Sequence, residues 1–271
     1  MRIVITGGAT GLGQALAIKW AEKHPGIEVC IADVNTSRAN ETLELLKGLG
    51  AKAFYVHCDI TSDDDVRELV QRIEARWQGI DCVFNNAGVA TGGSLLDETL
   101  EQWQWVFDIN MLGMVRVSRA LVPLMRQQGH GYFVNIASQA GLTPIPYMGS
   151  YNAVKAAVVA FSETMKLELA PDNINVSVVC PSFFKTNLDE SMRSSNPAAH
   201  KMINRFFSKA DITKEEVAES IYQQVQLKRF LILTHKLGKR AYWLKKFLPN
   251  QRYINSMLGQ TKSMKRAMEK R

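Results

Sequence analysis

The chain of 271 residues has only four cysteines and no paired cysteine motif. Cys30, Cys58, Cys82 and Cys180 are far apart and lie in apolar surroundings, and no C-x-x-C pair occurs. This spacing excludes a disulfide scaffold and argues against a zinc site, so no metal is expected. Buried, reduced thiols in a cytosolic protein are the simplest interpretation.

Long apolar runs are absent as well, since none reaches the ~20 residues that a membrane-spanning helix needs. The segment Met1–Thr6, which precedes the first glycines, is too short for a signal peptide. Hydrophobic residues make up 46% and charged residues 22% of the chain, which excludes disorder and collagen-like repeats. We therefore expect a globular, cytoplasmic protein.

Acidic residues are nearly missing from the end of the chain. Lys228–Arg271 contains 13 Lys and Arg residues but one acid, Glu269, whereas the whole chain has a net charge of +7. The rest of the chain is therefore mildly acidic. A basic end of this kind raises the question of an anionic partner.

Apolar residues recur at helical spacing in this basic tail. Leu237, Ala241, Leu244 and Leu248 share one stripe, and a second helix is expected after Pro249. A basic amphipathic helix suits the surface of an anionic membrane, which would make the protein peripheral to that membrane. Packing against the body or a second subunit is the alternative, and nucleic acid is a less favoured partner.

Continuous apolar runs alternate with amphipathic segments before the tail. Runs of this kind are typical of parallel strands covered on both faces. The alternation predicts one doubly wound, Rossmann-like α/β domain over residues 1–233, with helices on both faces of a mostly parallel, seven-stranded sheet. A basic helical extension over residues 234–271 follows it. The predicted strands are Arg2–Thr6, Ile27–Ala32, Ala53–His57, Cys82–Phe84, Tyr132–Ile136, Val176–Val179 and Phe230–Leu233, and the predicted helices are Leu12–Lys23, Arg38–Leu49, Asp63–Trp77, Trp103–Gln127, Tyr151–Ala170 and Lys214–Val225.

A glycine-rich loop, Thr6–Gly13, joins the first predicted strand to the first helix. Gly7 would permit a tight turn, Gly11 would let the backbone approach a pyrophosphate, and Gly13 would let helix and strand pack closely. The first N–H groups of the helix would then bind the negative charge. An ordinary strand–helix turn is the alternative, because the spacing is G-x-x-x-G-x-G rather than G-x-G-x-x-G.

Asp33 ends the second predicted strand, 20 residues after Gly13. A carboxylate there bonds the hydroxyls of an adenosine ribose and repels a 2′-phosphate, which favours NAD over NADP. Arg38 lies nearby and can soften this preference, so NADP is the alternative cofactor. A purely structural role, capping the loop, is the alternative for Asp33.

Tyr151 and Lys155 are four positions apart in a predicted helix, so their side chains share one face. A free tyrosine has a pKa near 10, and a neighbouring ammonium is expected to lower it. Such a phenol can donate a proton to a carbonyl oxygen or take one from an alcohol. Ser138 follows a predicted strand and could hold the substrate oxygen, with capping of a helix or turn as the alternative. The same spacing recurs in the tail at Tyr242 and Lys246, which is interpreted as a cationic helix face.

In this order, the motifs resemble those of the short-chain dehydrogenase/reductase family, in its compact single-domain branch. The likeness runs from Ile3 to about Leu233. It rests on Thr6–Gly13, Asp59, Asn85–Gly88, Asn110, Ser138, Tyr151 with Lys155, and Pro181 with Thr186.

The resemblance implies a role for each matched residue. Tyr151 would be the general acid/base, and Lys155 would lower its pKa and bond the nicotinamide ribose. Ser138 would orient the substrate carbonyl, and Asn110 would hold a water on the proton relay to Lys155. The implied cofactor contacts are Gly7, Thr10, Gly11, Leu12, Gly13, Asp33, Asp59, Ile60, Asn86, Ala87, Gly88, Tyr151, Lys155, Pro181 and Thr186.

Two of these assignments carry a qualification, because Asp59 has an alternative role and the Thr186 contact depends on the path of the loop before it. Asp59 would bond the adenine amino group, and the alternative is that it caps the helix near Asp63. Thr186 would bond the nicotinamide carboxamide. Ser182 stands where the family commonly has glycine, and a serine restricts the backbone, so the path of the loop Ser182–Lys185 is open at this stage.

The implied function is an NAD(P)-dependent oxidoreductase, with NAD favoured, that interconverts a secondary alcohol and a carbonyl by hydride transfer. The apolar segment Phe183–Asp211 and the opposite wall Gly141–Met148 predict a lipophilic substrate, such as a steroid-, retinoid- or acyl-like compound. The resemblance also implies a homodimer or homotetramer. The alternatives are a catalytically silent nucleotide sensor and a membrane-associated protein in which the tail is primary.

Overall fold

A parallel sheet organises the chain in this computed structural model, which describes residues 1–185, 190–208 and 210–269. Seven strands pair in the order β3-β2-β1-β4-β6-β7-β9, and every pairing is parallel. All seven predicted strands are confirmed, with ends shifted by at most two residues. The strands are β1 (Arg2–Thr6), β2 (Glu28–Asp33), β3 (Lys52–His57), β4 (Cys82–Asn85), β6 (Gly131–Ile136), β7 (Ile174–Val179) and β9 (Leu231–Ile232), and a separate parallel pair joins β5 (Thr91–Gly92) to β8 (Arg193–Ser194).

Helices lie between the strands and confirm the doubly wound prediction. The helix predicted over Trp103–Gln127 is divided, because the six residues Asp108–Gly113 form a π-helical turn within it. Such turns are rare and concentrate at functional sites. The helices are α1 (Gly11–Lys23), α2 (Thr36–Gly48), α3 (Asp63–Glu74), α4 (Leu100–Phe107), α5 (Met114–Gln128), α6 (Gln139–Leu142), α7 (Gly149–Leu169), α8 (Pro197–Ser208), α9 (Lys214–Gln226), α10 (Lys236–Phe247) and α11 (Asn250–Glu269).

The central strand β1 shows why the apolar runs are continuous. Ile3, Val4 and Ile5 are all fully buried. Ile3 and Ile5 belong to the core on one side of the sheet, and Val4 belongs to the core on the other side. Strand order reverses between β1 and β4, and in such sheets ligands bind at the carboxyl ends of the strands beside that point.

All four cysteines are buried and free, and burial raises the pKa of each thiol. They belong to the packed interior, and all four lie in or directly after strands. Within the described ranges, no group of potential metal ligands comes together.

The two tail helices lie against the catalytic side of the body. Nζ of Lys245 donates to the carbonyl oxygen of Leu142 at 2.5 Å, and Tyr242 packs against a core cluster beside β7. A Cβ on Gly238 would lie 2.7 Å from Oε1 of Gln139, so α10 approaches α6 closely. Among the described residues, no helix is long and apolar enough to cross a membrane.

Candidate active site

A cavity of about 590 Å³ lies where the carboxyl ends of the parallel strands meet. Its wall is formed by residues that follow β1, β2, β3, β4, β6 and β7, together with part of α7. The catalytic and binding residues predicted from the sequence that line it are Gly7, Thr10, Gly11, Leu12, Asp33, Asp59, Ile60, Asn86, Ala87, Gly88, Ser138, Tyr151, Lys155 and Pro181.

Two of the predicted residues that the structure describes are not on this wall, and a third cannot be placed. Gly13 and Asn110 lie behind it, and Thr186 falls outside the described residues. Of the apolar residues predicted for a substrate wall, Phe183, Phe184, Ile145 and Met148 line the cavity.

The loop between β1 and α1 leaves no room for side chains. Gly7 has a φ of +60°, and a Cβ there would lie 2.8 Å from the Cα of Ala87. A Cβ on Gly13 would collide with the carbonyl oxygen of Gly7. Thr10 is the N-cap of α1 and makes no side-chain bond to the first turn, so the N–H groups of that turn are available to an anion.

Asp33 fixes the same loop while its carboxylate lies on the cavity wall. Oδ2 accepts from the N–H of Ala9 at 2.9 Å, and Oδ1 accepts from the N–H of Asn35 at 2.9 Å. The structural alternative is therefore confirmed as one role of Asp33. It does not remove the carboxylate from the cavity, so the two roles are compatible.

Asp59 is not a helix cap. The cap of α3 is Ser62, whose hydroxyl accepts from the N–H of Asp65 at 3.2 Å. Oδ1 of Asp59 accepts from the N–H and the hydroxyl of Thr61, at 2.9 and 2.7 Å. The capping alternative for Asp59 is thus wrong, and its carboxyl group is held at the rim of the cavity.

The turn after β4 connects that strand to the glycine loop. Nδ2 of Asn86 donates to the carbonyl oxygens of Thr6 and Gly7, at 3.0 and 2.9 Å. Nδ2 of Asn85 donates to Oδ1 of Asn135 on β6, at 2.8 Å. These amides hold the wall of the cavity together, which is a structural contribution beside any contact with a ligand.

Tyr151 and Lys155 lie on one face of α7, and both side chains are buried. Ser138 begins α6 and its hydroxyl accepts from the N–H of Ala140 at 3.1 Å, so the capping alternative is confirmed. The same serine also hydrogen-bonds the Tyr151 side chain. Capping and contact with Tyr151 are therefore compatible roles for one residue.

The expected lowering of the Tyr151 pKa by Lys155 is wrong for the protein by itself. Burial raises the pKa of Tyr151 to about 12, although the hydrogen bond with Ser138 opposes this shift. Nζ of Lys155 lies 5.8 Å from the centre of the tyrosine ring and donates to the carbonyl oxygen of Ile136 at 3.0 Å. Burial lowers the pKa of Lys155 to about 8. Desolvation is the main cause of both shifts, and neither side chain contributes to the shift of the other.

Asn110 sits in the π-helical turn and is fully buried. Its Oδ1 accepts from the N–H of Val89 at 2.9 Å, and its Nδ2 donates to the carbonyl oxygen of Val89 at 2.8 Å. A Cβ on Gly88 would lie 2.5 Å from Oδ1 of Asn110 and 3.5 Å from Nζ of Lys155. Asn110 therefore lies behind the backbone of Gly88, which separates its side chain from the cavity.

Ser182 stands where the family commonly has glycine, and its backbone is not left-handed. The positive φ angles of non-glycine residues in the described ranges belong to Tyr147, Asn173 and Lys228. The N–H of Ser182 donates to Nδ1 of His235 at 3.2 Å, which anchors the start of the loop to the chain after β9. The loop therefore follows a path that a serine can adopt.

Two interactions at the site escaped the sequence analysis. Nη1 of Arg38 pairs with Oε2 of Glu190 at 2.8 Å, and both residues line the cavity near Asp33. The buried carboxylate of Glu98 accepts from the N–H and the hydroxyl of Ser150, at 2.9 and 2.8 Å, and thereby fixes the start of α7. Separations of 152 and 52 residues leave no local signal for either contact.

These features fit a dinucleotide. The uncapped start of α1 suits a pyrophosphate, Asp33 suits a ribose, and the cavity continues from there to Tyr151 and Lys155. A long ligand with charge near its middle would contact every part of this wall.

Comparison with known proteins gives a consistent answer. The family model described as short chain dehydrogenase matches residues 1–197. The "CLA biosynthesis dehydrogenase/reductase" of Lactiplantibacillus plantarum is 30% identical over 250 residues, which cover 85% of this chain and 86% of that protein. The 3-oxoacyl-[acyl-carrier-protein] reductase of Synechocystis is 31% identical over 191 residues, which cover 70% of this chain and 77% of that protein.

A solved structure agrees over most of the chain. The short chain dehydrogenase/reductase of Burkholderia phymatum in complex with NAD superposes with a TM-score of 0.85 and is 30% identical. The match covers 90% of this chain and 92% of that protein. The similarity therefore extends over most of the chain.

Proposed function

Because this chain belongs to the short-chain dehydrogenase family, we propose that it is an NAD(P)-dependent oxidoreductase interconverting a secondary alcohol and a carbonyl. The observation that carries the proposal is the set of Ser138, Tyr151 and Lys155 on the wall of the same cavity as the glycine loop. A relative is solved with NAD at 30% identity, which supports a dinucleotide as the cofactor.

NAD is proposed in preference to NADP. The Asp33 carboxylate lies on the cavity wall and would repel a 2′-phosphate. Arg38, the nearest cation to compete for that phosphate, is paired with Glu190 at 2.8 Å. The pair leaves Asp33 to determine the preference.

The bound nicotinamide would supply or accept the hydride and, in its oxidised form, would add a positive charge to the site. Tyr151, with a pKa of about 12 in the protein alone, carries its proton at neutral pH and can donate it to a carbonyl oxygen. Ser138 orients that oxygen. In the opposite direction, Tyr151 must first lose its proton, which the positive charge of the oxidised nicotinamide would favour, and the phenolate then takes the proton of the alcohol.

Lys155 and Asn110 would return the proton to solvent. The pKa of Lys155 is near 8, so its ammonium exchanges a proton readily near neutral pH. Asn110 lies behind Gly88, close to Lys155, and positions the Val89 backbone through two hydrogen bonds. Its contribution is positioning of the relay rather than contact with substrate.

A lipophilic substrate is proposed because apolar side chains surround the catalytic end of the cavity. Ile145, Met148, Phe183 and Phe184 line it beside Tyr151. Apolar, Met-containing walls bury hydrocarbon rather than a sugar or a small hydroxy acid.

A panel of secondary alcohols, followed by absorbance of the reduced nicotinamide with NAD and NADP in parallel, tests the function. We expect turnover of lipophilic alcohols with NAD and a lower kcat/KM with NADP. A catalytically silent sensor would bind the dinucleotide in a titration and oxidise no member of the panel, which would refute the proposal.

Peripheral contact with an anionic membrane is a second proposal, carried by the outer face of the tail. Leu237, Trp243, Leu244 and Phe247 are exposed on α10, between basic residues. Exposed aromatic and aliphatic groups with lysines suit a membrane interface. Vesicle flotation at low and high salt tests the idea. Absence from the lipid fraction at both salt concentrations would refute it.

Association into a homodimer or homotetramer is also proposed. The family resemblance indicates the helices α5 and α7 as the contact, and Leu167 on α7 is 77% exposed. Sedimentation of the purified chain would distinguish a monomer from either assembly.

A further inference from the structure

A second cavity, of about 600 Å³, lies beside the first and is closed on one side by the tail helices. Both cavities fall within the range of small-molecule sites in proteins. The second is lined mainly by apolar groups from three places: the strand end near β5, the loop before α7, and α11. These groups include Leu95, Pro144, Ile145, Tyr253, Ile254 and Met257.

Ile145 is the wall between the two cavities, because it lines both. Asn152, the residue after Tyr151, holds it in place. Oδ1 of Asn152 accepts from the N–H of Ile145 at 3.3 Å, and Nδ2 donates to the carbonyl oxygen of Ile145 at 2.8 Å. The second cavity is therefore attached to the helix that carries the catalytic pair.

The loop that carries Ile145 is strained where it faces the second cavity. Tyr147 has a φ of +65°, which is unfavourable for a bulky residue, and its carbonyl oxygen accepts from the N–H of Gly93 at 2.9 Å. Strain of this kind is retained where the surroundings require one backbone path, often at ligand sites.

Two polar groups lie at the tail side of this apolar cavity. Lys245 is half-buried, and among the described residues no carboxylate lies close enough to perturb it. The hydroxyl of Tyr253 is buried and has no hydrogen-bond partner within the described part of the chain. Nζ of Lys245 lies 5.6 Å from the centre of the Tyr253 ring and donates to the carbonyl oxygen of Leu142, which leaves two N–H donors for an anion.

We propose that the second cavity binds the far end of a long-chain carboxylate substrate, with Lys245 and the Tyr253 hydroxyl holding the carboxylate and the apolar walls holding hydrocarbon. The chain would pass Ile145 and present its hydroxyl or oxo carbon to Tyr151. This assignment rests on the proposed function and narrows its substrate to a hydroxy or oxo fatty acid.

The tail-side residues of the subsite lie outside the part of the chain that the family model matches. Lys245, Tyr253, Ile254 and Met257 lie after residue 197, where the family match ends. The same tail carries 13 basic residues from Lys228 onward, which favours an anion over a neutral lipid.

Calorimetric titration of the full chain with monomeric dodecanoate tests the subsite without requiring turnover. We expect dodecanoate to bind and butanoate not to bind. Lys245→Gln should weaken binding of dodecanoate about tenfold, since a charge-assisted hydrogen bond at a partly exposed site is lost. Lys245→Arg should retain most of the affinity because it retains the charge.

Matched variants distinguish binding of dodecanoate in the second cavity from binding to the outer surface of the tail. Met257→Trp fills the cavity and should weaken dodecanoate at least about tenfold. Leu258→Trp and Lys246→Gln alter exposed neighbours and should leave its affinity unchanged. Titration with NAD checks that every variant keeps the fold of the first cavity.

A panel of monohydroxy dodecanoates then links the subsite to the reaction. We expect at least one positional isomer to be oxidised with a higher kcat/KM than sec-butanol, and this ratio to fall in Lys245→Gln and Met257→Trp. The proposed subsite would be refuted if dodecanoate did not bind or bound equally to all variants. It would also be refuted if the protein bound anionic vesicles but not monomeric dodecanoate.

The two proposals can fail separately. If dodecanoate binds as expected but no alcohol is oxidised with either dinucleotide, the proposed function fails and the carboxylate site stands. If short alcohols are oxidised but dodecanoate does not bind, the function stands and the subsite fails.

Discussion

Lys155 costs the protein stability, and replacing it with methionine should therefore stabilise the fold. The side chain is 4% exposed, and burial lowers its pKa from 10.5 to about 8. At 1.36 kcal/mol per pKa unit, a charged Lys155 destabilises the folded state by about 3 kcal/mol at neutral pH. Methionine has a similar length and no charge to desolvate.

The variant also loses one favourable contact. Nζ donates to the carbonyl oxygen of Ile136 at 3.0 Å, and losing that hydrogen bond costs about 1 kcal/mol. The net expectation for Lys155→Met at pH 7 is thus a gain of about 2 kcal/mol in the free energy of unfolding, together with loss of catalysis. Residues retained against stability are typical of functional sites.

The gain in unfolding free energy expected for Lys155→Met changes with pH in a definite direction. A lysine whose pKa is lower in the folded state destabilises fully below that pKa, near 8, and the penalty disappears as the pH rises toward 10.5. The advantage of Lys155→Met should therefore be largest at neutral pH and shrink above it. Tyr151 is present in both proteins, so its raised pKa does not change this difference.

Urea denaturation of both proteins, at neutral pH and near pH 10, measures this difference. Lys166→Met on the same helix is the control: Lys166 is only half-buried and donates to Oδ1 of Asn175 at 3.2 Å, so its replacement should cost no more than about 1 kcal/mol. A destabilised Lys155→Met at neutral pH, or an advantage that does not change with pH, would refute the reasoning.

Three further outcomes are expected. Gly13→Ala should reduce dinucleotide affinity at least about tenfold and lower the midpoint of thermal unfolding, because the new methyl group meets the Gly7 carbonyl. Equal dinucleotide affinity of the variant and the original protein in a titration would contradict this packing. Glu190→Gln should free Arg38 and raise kcat/KM with NADP severalfold relative to NAD, and an unchanged ratio would show that the ion pair has no part in cofactor choice. Alcohol oxidation should rise with pH and carbonyl reduction should fall, since Tyr151 must accept a proton in one direction and donate it in the other; parallel profiles would contradict that assignment.

The sheet was predictable because its strands are covered on both faces. Ile3, Val4 and Ile5 form a continuous apolar run for the physical reason that each face of β1 meets a separate core. The wall residues of the cavity were predictable in the same way, since most of them directly follow a strand.

The electrostatics of the site were not predictable from spacing. The separation of Tyr151 and Lys155 indicates a shared face, but the direction of the shift in the Tyr151 pKa is set by burial, which the spacing does not reveal. Likewise, the π-helical turn at Asp108–Gly113 has no signal in apolar periodicity, because α4 and α5 continue the same amphipathic pattern on both sides of it.

The second cavity depends on packing between distant segments. The apolar stripe of the tail predicted helices, but not that α11 would cover the loop before α7. That closure requires Lys245 to reach the carbonyl oxygen of Leu142, a residue 103 positions earlier. A stripe alone is equally consistent with a membrane, a second subunit or the body of the protein.

Tyr151→Phe removes the buried phenol hydroxyl that we propose transfers the proton. Phenylalanine fills the same space and keeps the core contacts, so dinucleotide affinity should stay within about threefold of the original while kcat falls about a thousandfold. A variant that binds the dinucleotide and turns over at the original rate would contradict the account.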